Sequence, residues 1–221
     1  MKSLLGVLVG LAILPAALLG QQEEKRLHFT FAGVAGQQVV QSHTAGLLGD
    51  VTDRLTGPLL GAEGVLISDR LMVRVRYGEG RIKPEAGSTS EARDIVMGEA
   101  LFGVRAMPWL ALWVGPSARA YTIGESDQRW LVWTGRAAGR GTLLPGRLQT
   151  YVELWGVFSG NVGNPPIKAG GRGASGGLEM RFGAMSSFWG RLSYGIESLH
   201  ADGLRETAEV MTLSIVYGLP Q

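Results

Sequence analysis

Ser198, His200 and Asp202 form the densest grouping of catalytic residue types in the chain. A hydroxyl, an imidazole and a carboxylate so close together suggest a nucleophile, its base and a group that orients the base. That chemistry needs the base within ~2.6–3.2 Å of the nucleophile. Side chains two apart on an extended strand share a face, but they normally stand farther apart than that. Ser198 and His200 also share the parity of Tyr194 and Ile196, which places them on an outward face beside a loop. The three are therefore read as a polar rim and turn, and kept as the candidate catalytic set.

A second arrangement would place rim carboxylates and histidines around a peptide: His43, Asp50, Asp53, Asp127, His200 and Asp202. His28 shares a face with Thr30 and reads as an interior hydrogen-bonding group. Three scattered histidines without cysteine point to no metal site, and no cofactor is expected. Gly78-Glu79-Gly80 and Gly139-Arg140-Gly141 precede no helix, so they are turn or strand glycines rather than phosphate loops.

The elements that position these residues must accommodate an unusual composition. Glycine supplies 34 of 221 residues, about twice the usual share, yet 45% of the chain is hydrophobic. That excludes a disordered low-complexity chain. There is no cysteine, and 21 basic residues face 19 acidic ones. Without a clustered positive excess, no nucleic-acid partner is expected. Only Lys2, Lys25, Lys83 and Lys168 are lysines, so 21 less 4 leaves 17 arginines.

Residues 1–20 read as a signal peptide: Lys2, an apolar run over 4–19, then small residues before the polar 21–26. Cleavage after Gly20 would leave 21–221 as the mature chain, and an uncleaved anchor helix is the alternative. No second apolar helix follows. A mature chain that spans a membrane must therefore do so as a closed barrel.

From Leu27 onward the apolar pattern has period two. In Leu71–Tyr77, the residues Leu71, Val73, Val75 and Tyr77 share one face, and Arg74 and Arg76 the other. This pattern predicts an all-β, antiparallel up-and-down transmembrane barrel of about ten strands, with eight and twelve as alternatives. The predicted strands are 27–36, 59–67, 71–78, 93–106, 109–122, 129–141, 147–158, 170–183, 189–199 and 204–218. Short connections are expected on one rim and long ones on the other, including 37–58, where a short helix at 45–55 is an option. Pro116 would need a bulge with Gly115.

If the apolar faces meet lipid, the opposite faces form the lumen. These collect Arg74, Arg76, Glu99, Arg105, Arg119, Arg136, Arg140, Arg147, Glu153, Glu179, Arg181, Arg191 and Glu197. Arginine suits such a network because its planar fork pairs with carboxylates at fixed geometry. Strand glycines such as Gly98, Gly103, Gly135, Gly156, Gly177 and Gly195 would relieve crowding around it. Aromatic girdles are expected from Trp109, Trp189, Phe182 and Tyr217 at one rim and from Tyr77, Trp130 and Phe158 at the other.

The terminal strand carries Met211, Leu213, Ile215 and Tyr217 at every second position, ending on an aromatic, before Gly218 to Gln221. With the leader and the glycine-rich alternating strands, the chain resembles the small bacterial outer-membrane β-barrel proteins. The resemblance implies a place in the outer membrane of a Gram-negative-type bacterium, among outer-membrane lipid and lipopolysaccharide. It implies recognition of the last strand by the barrel assembly machinery, and a monomer. Some lipid A deacylases of this kind place His-x-Ser on a late strand, whereas Ser198 and His200 stand in the reverse order. The expected role is structural, interaction-based or weakly pore-forming, with a charged and largely filled lumen. The rival readings are a lipid A-modifying or proteolytic outer-membrane enzyme, and a soluble periplasmic barrel that binds an apolar ligand with its apolar faces inward.

Overall fold

A computed structural model describes residues 27–45, 51–86, 91–124, 126–163, 166–183 and 187–218. The expected signal peptide and Asp50 lie outside the described residues. Ten strands run in sequence: β1 (Leu27–Thr44), β2 (Val51–Ser68), β3 (Leu71–Pro84), β4 (Arg93–Met107), β5 (Leu110–Ile123), β6 (Ser126–Leu144), β7 (Leu148–Val162), β8 (Ile167–Arg181), β9 (Phe188–Ala201) and β10 (Leu204–Tyr217). Each pairs antiparallel with its sequence neighbours. β1 closes on β10 from Phe31↔Tyr217 to Thr44↔Leu204, giving a complete barrel. Closure removes the open sheet edges that would otherwise invite pairing with another chain.

Several strands run past their expected ends. β1 and β2 continue through much of 37–58: of the helix option at 45–55, Val51 to Leu55 is strand and 46–50 lie outside the described residues. The long-loop rim therefore consists largely of strand, and its connection at 202–203 is as short as those at 69–70 and 108–109. Pro116 needs no bulge. The β5 register runs straight through Gly115↔Thr134 and Pro116↔Trp133. On the β4 side the pairing passes from Glu99↔Ser117 to Phe102↔Val114 without a shift. Gly115 is required there, because a Cβ would collide with the Ala100 carbonyl oxygen.

The hydropathy of the two faces inverts partway along the barrel. Toward the 69–70 end the outer face is an apolar belt that includes Leu71, Val75, Phe102, Leu154, Leu192 and Leu213. Six residue steps from Leu71 to Tyr77 and eight from Phe188 to Ile196 give roughly 15–20 Å along the axis, at ~3.3 Å per residue and ~40° of tilt. Side-chain reach brings this close to the ~25 Å apolar band of membrane barrels.

Beyond the belt the outer face turns polar. Gln41, Arg54, Arg81, Asp94, Arg129, Lys168, Arg172, His200 and Arg205 form a collar. Within that collar the lumen is apolar: Val40, Leu55, Ile82, Ile95, Tyr121, Trp130, Val162, Leu199 and Ala208 pack into one buried cluster. Each fully buried large side chain there contributes about 1.5–3 kcal/mol. The collar is thus built like a water-soluble barrel, and the belted part has the opposite polarity.

Two expected girdle residues point the other way. Trp189 packs inside with Ala32 and Val216, and Trp130 is 1% exposed within the apolar cluster. Both sit at strand ends, where position along the strand suggests a girdle but inward parity decides the face. Phe182, Phe188 and Tyr217 are outside at the short-turn rim, with the Phe188 and Tyr217 rings 5.1 Å apart, while Trp109 is exposed in the β4–β5 turn and lines the mouth of the lumen.

Candidate functional site: the charged lumen

The inward positions of the belted half bring together nine charged side chains from seven strands. Arg74 grips Glu153 with both terminal nitrogens, at 2.7 and 3.1 Å, and its Nε lies 3.2 Å from Glu99. Arg136 spans the same two carboxylates, donating to Glu153 at 3.0 Å and to Glu99 at 2.6 Å. Arg76 donates to Glu63 at 3.0 and 2.6 Å. Arg191 joins Glu63 at 2.9 Å to Glu179 at 2.8 Å, and Arg140 approaches Glu179 at 3.5 Å. A smaller group lies higher, where Arg119 pairs with Glu197 and Glu206, and the Tyr121 hydroxyl donates to Glu206.

The two groups together hold six arginines (74, 76, 119, 136, 140, 191) and six glutamates (63, 99, 153, 179, 197, 206), so their charges cancel. Burial demands this, because an uncompensated charge away from water costs several kcal/mol. Glu179 is 0% exposed and Glu206 1%. Higher still, Arg93 pairs with Asp53 at 3.2 Å.

Two tryptophans line the wall beneath the network. The Arg74 guanidinium lies 5.0 Å from the centre of the Trp113 ring, and that of Arg136 lies 5.4 Å from Trp155. Each ring occupies space left by a glycine on the next strand, Gly103 for Trp113 and Gly173 for Trp155.

Some expected lumen residues stand apart from the network. Arg147 is exposed in the β6–β7 turn, because the strand begins only at Leu148. Arg105 faces inward near the short-turn end with no carboxylate in ion-pair range among the described residues. Arg181 ends β8 with its guanidinium 6.0 Å from the Trp189 ring.

Sequence parity missed Glu63 and Glu206. The lumen face of β2 also carries Leu59, Val65 and Ile67, so its apolar pattern gives no clear inside. Glu206 lies above the inversion level, between outward Arg205 and Thr207.

The catalytic candidates are not assembled. Ser198 and His200 lie on the outer face of β9, Asp202 is in the following turn, and no hydrogen bond joins them among the described residues. The His200 ring covers Gly170 on the neighbouring strand. His43 bonds Thr52 at 3.0 Å on the outer face, while Asp53 points inward to Arg93. Asp127, in the collar, is held below the usual carboxylate range by hydrogen bonds from Arg129 and Thr122. Among the described residues no cluster of His, Asp and Glu is placed to hold a metal ion.

A cavity of about 360 Å³ occupies the belted half of the lumen. It runs from the turn residues Met107, Pro108 and Trp109, past the arginine network, to Leu59, Met97 and Ala208. There it ends under the apolar cluster of the collar.

No protein-family pattern and no curated protein matches this sequence. Solved structures do match in shape. The outer-membrane protease OmpT of Escherichia coli superposes with a TM-score of 0.57 at 7% identity, over 90% of this chain and 99% of that one. The translocator domain of the autotransporter NalP from Neisseria meningitidis gives 0.43 at 11% identity, over 85% and 88%. At such identities the OmpT likeness is one of fold: a closed antiparallel barrel of the outer-membrane type.

Proposed function

We propose that this chain is a small outer-membrane β-barrel with a structural and interaction role, closed to passive conduction. The apolar belt supports insertion among outer-membrane lipid and lipopolysaccharide after removal of residues 1–20. Met211, Leu213, Ile215 and Tyr217 all point outward on β10, with Leu213 63% exposed. That row is the surface we assign to the barrel assembly machinery. Closure of β1 on β10 supports a monomer, and the collar carries the interactions outside the membrane.

One observation carries the closed-pore reading. Val40, Leu55, Ile82, Ile95, Tyr121 and Trp130 pack as buried side chains in the collar lumen, which supports a lumen blocked above the cavity. The dispersed positions of Ser198, His200 and Asp202 support a role without hydrolysis. The test combines two measurements. Folded barrel should shift between boiled and unboiled electrophoresis and fractionate with outer membrane. In planar bilayers it should give no stable single-channel steps. Recovery in the soluble periplasm would overturn the membrane reading, and stable steps would overturn the closed one.

A further inference from the structure

Arginine gathers at the short-turn mouth of the barrel. Arg70 and Arg147 stand in the turns, and Arg105, Arg140 and Arg181 reach the lumen ends of β4, β6 and β8. Among the described residues, the carboxylates at that end are Asp69 in the β2–β3 turn and Glu179 inside. The paired network above already includes Arg140 and Glu179 and is neutral in itself, so Arg105 adds a positive charge to the lumen that the network does not balance. Arg105 has no acidic partner among the described residues, and the Arg140 side chain is 40% exposed with a single contact at 3.5 Å. Both line the cavity.

From these features we propose that the belted lumen binds a small organic anion entering from the short-turn mouth. Arg105 and Arg140 would hold its carboxylate or phosphate, and Met72, Met107, Trp109 and Trp113 would hold its apolar body. A volume of about 360 Å³ lies at the small end of ligand sites, roughly 300–1,000 Å³. Such sites combine an apolar lining with a few convergent polar groups. Guanidiniums not already committed to carboxylates retain donors for an anion. Positive charge around a low-dielectric mouth also concentrates anions at the entrance. Assigning that mouth to the periplasm rests on the outer-membrane reading, but the binding itself does not.

The test uses the folded full chain in neutral detergent micelles, with tryptophan fluorescence as the readout. The probes are benzoate, phenyl phosphate, inorganic phosphate and benzyl alcohol. Saturable fluorescence changes with benzoate or phenyl phosphate, tighter than with either other probe, are expected. The double variant R105Q/R140Q should bind the anion about tenfold or more weakly, and R172Q, on the outer face, should bind as the parent does. Electrophoretic mobility without boiling verifies that each variant is folded. Three results would overturn the proposal: equal binding of benzyl alcohol, no advantage of the aromatic anions over inorganic phosphate, or unchanged affinity in folded R105Q/R140Q. A conducting barrel would remove the closed-pore reading and leave this experiment standing.

Discussion

Gly103 and Trp113 face each other across the β4–β5 ladder, and the Trp113 ring fills the place a side chain at residue 103 would take. A Cβ there would lie 2.6 Å from Cδ2 of the ring. The ring in turn sits beneath Arg74, so one absent methyl group positions an aromatic wall and a buried cation. Gly103→Val should destabilise the barrel by about 1–3 kcal/mol through overpacking. The measurement is the temperature at which the unboiled electrophoretic form is lost. Gly135→Val is the comparison, because nothing stands within 4 Å of a Cβ at that outward site, and it should change stability by less than ~0.5 kcal/mol. Equal losses in both would show that the Trp113 contact is not what matters.

The same contrast marks what was legible in the sequence. Period-two alternation revealed the barrel because parity survives in strands such as Leu71–Tyr77, whose outer face is apolar and inner face charged. It became obscure where the barrel leaves the belt. In Gln37-Gln38-Val39-Val40-Gln41-Ser42 both faces are mixed, since Val40 is inside and Gln41 outside. A reader of alternation alone sees a loop there. Glycine was legible as a strand feature but not by cause: Gly103 and Gly173 make room for rings, while Gly98, Gly135 and Gly156 face outward with open space. The pairing of Arg74 with Glu153, 79 positions apart, depends on closure and register, which no local pattern encodes.

Glu153 is the shared acceptor of Arg74 and Arg136. Glu153→Gln should cost about 3–5 kcal/mol, because two buried guanidiniums lose one of the two carboxylates they share, with only Glu99 left to both, while the shape is kept. Combining it with Arg74→Met should cost less than the sum of the single changes, since the second removes a cation that the first left unpaired. Urea unfolding in micelles measures each term. Strict additivity would mean that water in the cavity compensates these charges, and that the pairing is not a structural necessity.

The level at which the faces invert predicts how the outer surface tolerates charge. Leu192 sits midway along the belt, between Leu178 and Leu213 on the adjoining strands. Leu192→Arg should reduce folding into lipid vesicles by about 2–4 kcal/mol, the depth-dependent cost of a cation near the bilayer centre. Thr207, outward on β10 in the collar, pairs with Ser198 and Gln41. Thr207→Arg should cost no more than ~1 kcal/mol. The same two variants folded into detergent without a bilayer should converge. If they differ there by as much as in vesicles, packing rather than lipid depth is responsible.

The apolar cluster of the collar should act as a removable seal. Leu55 and Trp130 are 0% and 1% exposed within it, and both point into the lumen directly above the level where the cavity ends. Replacing each by alanine removes volume that the rigid wall cannot fully reclaim, at about 2–5 kcal/mol for Leu55 and 3–5 kcal/mol for Trp130. In the double variant the void joins the cavity below, whose arginine-lined walls hold water readily. Leu55→Ala/Trp130→Ala should therefore give anion-preferring conductance steps in planar bilayers, where the parent is silent. Leu213→Ala removes a similar side chain from the lipid face and should remain silent. A folded double variant that stays silent would place the barrier elsewhere along the lumen, and steps in the parent would show that the cluster does not close it.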